Sequence, residues 1–539
     1  MPPANELPAV PSVNETRAAS GSSARFAALV AAGILLSRLA GLVRERVFAH
    51  YFGNTGVADA LRAALRIPNL LQNLFGEGVL SASFIPVYAR LLAQRDDAEA
   101  DRVAGTVGAS LAFAMAVLVL LGIATSPWLV DAIAPGFEGE RRVLTITLVR
   151  ILFPGVGLLV LSAWCLGILN SHRRFFLSYA APVLWNGVII ATLLFFGGRR
   201  SAESLALATA WGAVAGSAVQ LGAQLSRTLR LAPRMRARIG WRDPQVATVF
   251  RNFTPAFVSR GVVQLSAYVD QLLASLLPVG AVAALGYAQT LYTLPVSLFG
   301  MAISAAELPA MSSALGEQAE VVRQLRARLE TALRRIAFFI VPSAVAFAAL
   351  GDVVTAAIYQ TGRFGAGDVT YVWGILAGSA VGLLASTQGR LYASVWYALR
   401  DTRQPLRFAL VRLFVTTALG IVLAFFAPRW IGLEARWGAA GLTLAAGVAG
   451  WVEFALLRRS LVPRIGRVAL PPRVLLSLWG SAGAAAAVAF PLERALPPLA
   501  PVVGAVLVLG VYGGLYFGVA ALLGVDESQS LLKRLRSLG

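Results

Sequence analysis

Asp59, Arg62, Arg66, Asn69, Asn73 and Glu77 follow one another at steps of three and four residues, so on one helix they form a single polar stripe. The positions between them, Leu61, Leu65, Leu70, Leu71, Leu74 and Phe75, are apolar. Other charges are set in neighbouring apolar runs: Arg38 and Arg44 upstream, then Arg260, Asp270, Arg390 and Glu453. A charge at membrane depth costs roughly 2.5–3.5 kcal/mol, so such residues turn toward a bundle interior or a wet cavity. Guanidinium groups gathered there suit a phosphate or pyrophosphate, because the planar fork binds it bidentately and keeps its charge. The candidate binding set is Arg38, Arg44, Asp59, Arg62, Arg66, Glu77, Arg260 and Asp270. Asp59 and Glu77 are expected to pair with some of these arginines when no anion is present, and Arg38 to face Arg260 across the cavity. The competing reading is a set of buried pairs, such as Asp59–Arg62 or Arg260–Asp270, that fix helix register.

The rest of the chain must supply that cavity. Of 539 residues, 57% are hydrophobic and 14% charged, where a soluble protein carries about 25% charged residues. A polytopic, all-α membrane protein follows. The net charge of +20 comes almost wholly from arginine, Lys533 being the lone lysine, and it sits in short loops between apolar spans. That placement argues against a nucleic-acid partner. The single cysteine, Cys165, leaves no disulfide framework or thiolate metal site, and His50 and His172 lie far apart in the sequence. No phosphate loop, H-E-x-x-H or G-x-S-x-G occurs, so an enzyme is not expected.

Windows of about 20 residues divide the chain into fourteen spans: 26–48, 57–92, 104–126, 143–169, 176–197, 205–225, 250–277, 280–315, 336–350, 369–399, 406–427, 437–457, 474–490 and 502–523. The second is expected to bend at Pro68 or within residues 76–78. Alternate loops hold Arg95 and Arg102, Arg173 and Arg174, the arginines of 227–242 and of 323–335, Arg400 and Arg403, and those of 458–467; the opposite set is poorer. By the positive-inside rule both termini are cytoplasmic. Residues 1–25 read as a disordered tail, 26–225 as a first lobe of six spans, and 226–249 as a basic cytoplasmic loop. Residues 250–457 read as a second lobe, 458–523 as two further spans, and 524–539 as a cytoplasmic tail. Within the second lobe, 316–335 reads as an amphipathic helix on the inner leaflet, with Val321, Leu325 and Leu329 on its apolar side.

A faint repeat supports two pseudo-symmetric lobes around a central cavity. Ser37-Arg38 has a counterpart in Ser259-Arg260, Leu74-Phe75-Gly76 in Leu298-Phe299-Gly300, and Phe84-Ile85-Pro86 resembles Glu307-Leu308-Pro309. Such repeats characterise secondary transporters, which bind substrate between the halves.

Ser37-Arg38-Leu39-Ala40-Gly41-Leu42-Val43-Arg44-Glu45, Ala58-Asp59-Ala60, Pro68-Asn69-Leu70-Leu71, Phe75-Gly76-Glu77-Gly78, Ala134-Pro135-Gly136-Phe137 and the stretch from Tyr397 to Pro405 (YALRDTRQP) resemble the MurJ (MviN) lipid II flippases. That family lies in the multidrug/oligosaccharidyl-lipid/polysaccharide exporter superfamily. The resemblance implies two six-helix lobes plus two C-terminal helices that form a groove for the lipid tail. It also implies movement of undecaprenyl-pyrophosphate-linked GlcNAc–MurNAc-pentapeptide across the bacterial inner membrane by alternating access, in the service of peptidoglycan synthesis and cell shape. Arg38, Arg44 and Asp59 match cavity positions of the family. Gln72 and Gln289-Thr290 depart from it, and Arg260 is expected to replace the missing eighth-span arginine. Those departures leave room for a different polyprenyl-linked oligosaccharide. A cation-coupled exporter of the same superfamily would instead need a cavity lined by aromatics and carboxylates. No bound cofactor is expected. The membrane potential is the expected drive, with Asp270, Asp59 or Glu453 as seats for a coupling cation, and the chain is expected to act as a monomer among membrane lipids beside the cell-wall synthesis machinery.

Overall fold

The computed structural model describes the backbone of residues 13–75, 77–238, 244–301, 303–304, 307, 318–399, 401–497 and 499–530. It describes side chains from residue 32 onward, except 68, 77–78, 81, 254–256, 258–267 and 318. Among the described residues every regular element is helical. Helix α1 spans Val13–Phe52, α2 Gly56–Phe75, α3 Glu77–Ser83, α4 Ile85–Ala93, α5 Asp97–Ala124, α6 Ser126–Ile133, α7 Gly139–Ser171, α8 Phe175–Phe196 and α9 Ala202–Leu231. Then come α10 at Pro244–Ser275, α11 at Ala281–Pro295 running into a π-helical turn at Val296–Met301, α12 at Gln318–Ala349, α13 at Gly351–Tyr359, α14 at Ala366–Ala380 and α15 at Leu383–Ala398. The chain closes with α16 at Arg403–Ile421, a short α17 at Ala427–Trp430, α18 at Gly438–Ile465, α19 at Pro472–Ala495 and α20 at Pro501–Leu522.

Nine helices among the described residues are long and apolar enough to cross a membrane, or ten if α14 and α15, bent by 43° at their junction, count as one broken span. The long helices outside that set, α1, α2 and α10, carry seven of the eight candidate binding residues, Glu77 on α3 being the other. Helices α1 to α9 pack mainly on one another, α7 against α2, α5 and α9, and α1 against α8; α11 to α18 form a second packed group; α10 touches both.

The second span is interrupted at Phe84, between α3 and α4; Pro68 lies within α2, and Gly76, in the other stretch where a bend is expected, is outside the described residues. In the second group, Leu298-Phe299-Gly300 falls in the π-helical turn that ends α11. The last helix, α20, seats against α12 through a specific device. Pro342 lacks the N–H that would bond the carbonyl of Phe338 four residues earlier, and the Tyr516 hydroxyl donates to that carbonyl at 2.6 Å. Tyr512 donates to the Pro342 carbonyl at 2.8 Å.

Three expectations change. Helix α1 starts at Val13, so residues 13–25 are helical rather than unstructured; Arg17, Ala18, Ala19 and Ala24 are good helix formers joined to an already nucleated span. The 316–335 segment is not a separate surface helix, because from Gln318 it is continuous with the following span as α12. Its apolar side is as read, but Leu325 and Leu329 are buried at 1% and 0% exposure, within a helix that packs on α15 and α19. A three-four stripe fits protein as well as it fits lipid. Third, Arg390 is not turned into the packed interior of the bundle: it is exposed on α15, while Gln388 beside it is buried and donates to the carbonyl of Leu333 at 3.4 Å.

Candidate functional site: a clasped chamber between two helix groups

The stripe on α2 divides into two parts. At its start Asp59 is 1% exposed and its carboxylate accepts the backbone N–H of Gly280 and of Ala283, both at 2.7 Å. These are the first free donors of α11, where a carboxylate complements both the unpaired N–H groups and the helix dipole. Gly280 holds φ +94 to present its amide. Arg141, at the start of α7, donates to the same carboxylate at 3.4 Å and to the Gly136 carbonyl at 2.7 Å. Asp59 thus joins the two helix groups, and its partner Ala283 stands 224 positions away, the offset that separates Leu74 from Leu298. The tips of repeat-related helices meet here.

Around Asp59 the joint is dense. Tyr287 donates to the Gly53 carbonyl at 2.8 Å, and Gly136 accepts no side chain because a Cβ would lie 2.1 Å from the Ser275 carbonyl oxygen. Gly53 holds φ +55 with its Cα face 2.7 Å from the Arg363 carbonyl oxygen, measured from where a Cβ would stand. Gly53→Ala is therefore expected to lower stability by at least about 1–2 kcal/mol from the left-handed backbone alone, read as a lower midpoint of thermal unfolding in detergent. Unchanged unfolding would mean that the joint yields.

Moving along α2 away from the joint, the stripe becomes wet. The Arg62 side chain is 15% exposed, Arg66 is half-buried, and Asn69 and Asn73 are exposed. On α11 the same trend holds: Ala283 and Tyr287 are fully buried, while Gln289 is exposed and donates to the hydroxyl of the half-buried Thr293. The two helices touch at Asp59, and their polar positions become more exposed with distance from it. On one side, α10 closes against α2 and α4 through Phe75 on Phe253 and Phe257 and through Arg90 on Gln245 at 2.7 Å.

The arginines are held by a residue outside the candidate set, Glu45. Its buried carboxylate accepts Arg44 at 2.6 Å and also a guanidinium N–H of Arg62. Arg62 lies between the rings of Phe48 and Tyr287, 4.7 and 4.5 Å from their centroids. Arg66 stands over Tyr268, whose hydroxyl donates to the Arg66 carbonyl at 2.8 Å. Arg38 is exposed. The expected Asp59–Arg62 pair does not form, since Asp59 is taken by α11 and Arg141 and Arg62 by Glu45. Asp59 accordingly belongs to the joint rather than to the chamber wall. Asp270 lies in the fields of Arg412 and Arg66, with one buried oxygen that no hydrogen bond reaches; Arg412 bonds Glu453 at 2.9 Å. Glu77 and Arg260 fall outside the described side chains, so the pairings expected of them do too. The signal for Glu45 was its place beside Arg44 in a run with three further charged or titratable neighbours, Arg38, Arg46 and His50.

A family model described as "Lipid II flippase MurJ" matches residues 48–494. The chain belongs to the lipid II flippase MurJ family. A relative of that family, the lipid II flippase MurJ of Burkholderia cenocepacia, is 33% identical over 429 residues, covering 78% of this chain and 80% of that protein. A probable lipid II flippase MurJ of Rhizobium meliloti is 30% identical over 532 residues, 94% of this chain and 95% of the other. In fold, the chain is similar to a solved lipid II flippase MurJ in an inward closed conformation, with a TM-score of 0.77 at 21% identity over 92% of this chain and 99% of that one. It is also similar to an inward-facing multidrug transporter of the MATE family, with a TM-score of 0.64 over 79% and 95%. The family match and the likeness of fold agree on an all-helical membrane protein.

Proposed function

We propose that this protein flips lipid II, carrying its head group from the cytoplasmic to the periplasmic leaflet of the inner membrane by alternating access. In this reading the bundle has fourteen spans: two six-span lobes, and α19 with α20 as the groove for the lipid tail. Both termini are cytoplasmic, so the Asp59 joint closes the periplasmic mouth and the chamber faces the cytoplasm. The observation that carries the reading is the gradient along α2, from a fully buried clasp at Asp59 to exposed polar groups at Asn69 and Asn73, with arginines between. Arg44, Arg62 and Arg66, joined by Arg38 and Arg260, receive the pyrophosphate. Arg44, 23% exposed, is the one that can turn from Glu45 to a ligand. The arginine-rich wall favours this anionic cargo over the cationic drugs of an exporter.

No covalent step is needed. Moving the charged head through the membrane field couples transport to the potential at about 2.3 kcal/mol per charge per 100 mV, and Asp270 is the carboxylate a coupling cation would use. The chain works as a monomer. The test is head-group accessibility of lipid II in cells depleted of this protein: it should fall on the periplasmic side and return with the wild-type chain. Arg44→Ala with Arg66→Ala should fail to restore it at equal protein level. Full restoration by that double variant would remove the pyrophosphate site, and normal accessibility on depletion would remove the function.

A further inference from the structure

Leu36, Leu39, Val43, Arg46 and His50 succeed one another at steps of three and four, so they share one face of α1. The lower part of that face is bare: Leu36, Leu39 and Val43 are 45%, 51% and 50% exposed. The upper part is shut by the other helix group. Arg46 donates through Nη1 to the carbonyls of Ala357 and Ile358 at 2.6 and 2.9 Å, two of the last carbonyls of α13, which no turn of helix follows. One turn higher, His50 Nδ1 lies 2.8 Å from Thr361 Oγ1, and the His50 carbonyl accepts the Arg363 N–H at 2.9 Å. A cation on a helix C-terminus is favoured by the dipole, yet here it comes from the opposite helix group. Helix α13 in turn packs on α20, one of the two helices assigned above to the lipid tail.

We propose that Arg46 is the latch of the tail's exit into the outer leaflet. The inference rests on the flippase reading. A head group that crosses inside the chamber drags a tail that stays in the bilayer, so the tail needs a continuous apolar slit along one seam between the lobes. The bare face of α1 at Leu36–Leu39–Val43 is one wall of that slit, and the Arg46–α13 contact crosses it near the periplasmic end. This latch is separate from the Asp59 clasp: one joins α1 to α13, the other α2 to α11. Arg46 touches no substrate; it positions α13 against α1 and lets the seam part when the head group has arrived.

The experiment uses the full-length protein in proteoliposomes. A photo-cross-linking amino acid is placed at Val43 or, as a lipid-facing control on a distant helix, at Phe414, and bare C55 polyprenyl pyrophosphate is supplied from the periplasmic face. Capture at Val43 should rise several-fold in R46Q over wild type and stay within twofold of wild type in R46K, with capture at Phe414 unmoved. In a second arm, H50C/T361C joined by a short reducible cross-linker should cut flipping of labelled lipid II at least tenfold, with recovery on reduction; the one native cysteine, Cys165, is buried. Equal capture at Val43 in wild type and R46Q, or full flipping while cross-linked, overturns the latch. The photocapture reads the path of a bare polyprenyl chain, so it can succeed or fail whatever the outcome of the lipid II accessibility test.

Discussion

Asp59→Asn is expected to swing the transporter toward its periplasm-open form. The carboxylate meets two backbone donors and a guanidinium. An amide of the same shape offers one oxygen and turns its NH2 toward either Gly280 or Ala283, leaving one N–H without an acceptor and facing a donor. A hydrogen bond to a charged group is worth about 1.5–3 kcal/mol, so the closed-to-open ratio should fall roughly 10- to 150-fold. The measurement is labelling of a cysteine at Asn69, deep on the exposed part of the stripe, by a membrane-impermeant maleimide added from the periplasmic side. Labelling should rise steeply in Asp59→Asn, and flipping in proteoliposomes should fall because the chamber no longer returns to face the cytoplasm. Asp59→Glu keeps the charge but overreaches the amides, so it should lie between the two. If Asp59→Asn labels like wild type, the two N–H bonds do not hold the mouth shut.

The clasp also shows where sequence runs out. The spacing of Asp59, Arg62, Arg66, Asn69 and Asn73 gave the helix and its wet face, because a periodic stripe is a one-dimensional signal. What Asp59 binds was not legible, since its partners are backbone amides of Gly280 and Ala283, and main-chain donors leave no mark in residue identity. Glu45 was passed over for a related reason: adjacent residues on a helix point about 100° apart, so Arg44 and Glu45 do not read as one group until a second helix brings Arg62 against both. The apolar side of 316–335 was right in its residues and wrong in its partner, which periodicity does not specify.

Glu45 carries the second large effect. Its carboxylate is 6% exposed and neutralises Arg44 and Arg62, of which Arg62 is sealed between two rings. Glu45→Gln strips both of their counter-charge, and breaking a buried pair from one side costs about 3–5 kcal/mol, because a charge is left stranded out of water. The expected result is a clear fall in the thermal midpoint and a loss of flipping that follows it. That result alone would not separate folding from transport. Removing Arg62 as well does: with Glu45→Leu and Arg62→Met together, the sealed charge is gone and only Arg44, 23% exposed and able to reach water, lacks its partner; apolar side chains fill similar volume, and stability should return most of the way to wild type, as replaced ion pairs commonly show. Flipping should not return with it, since the chamber has then lost one of its cations and the contact that ties Arg62 to Tyr287 on α11. If flipping recovers along with stability, Arg62 is no part of the anion site. The positive charge that meets the head group would then have to come from Arg44, Arg66, Arg38 and Arg260.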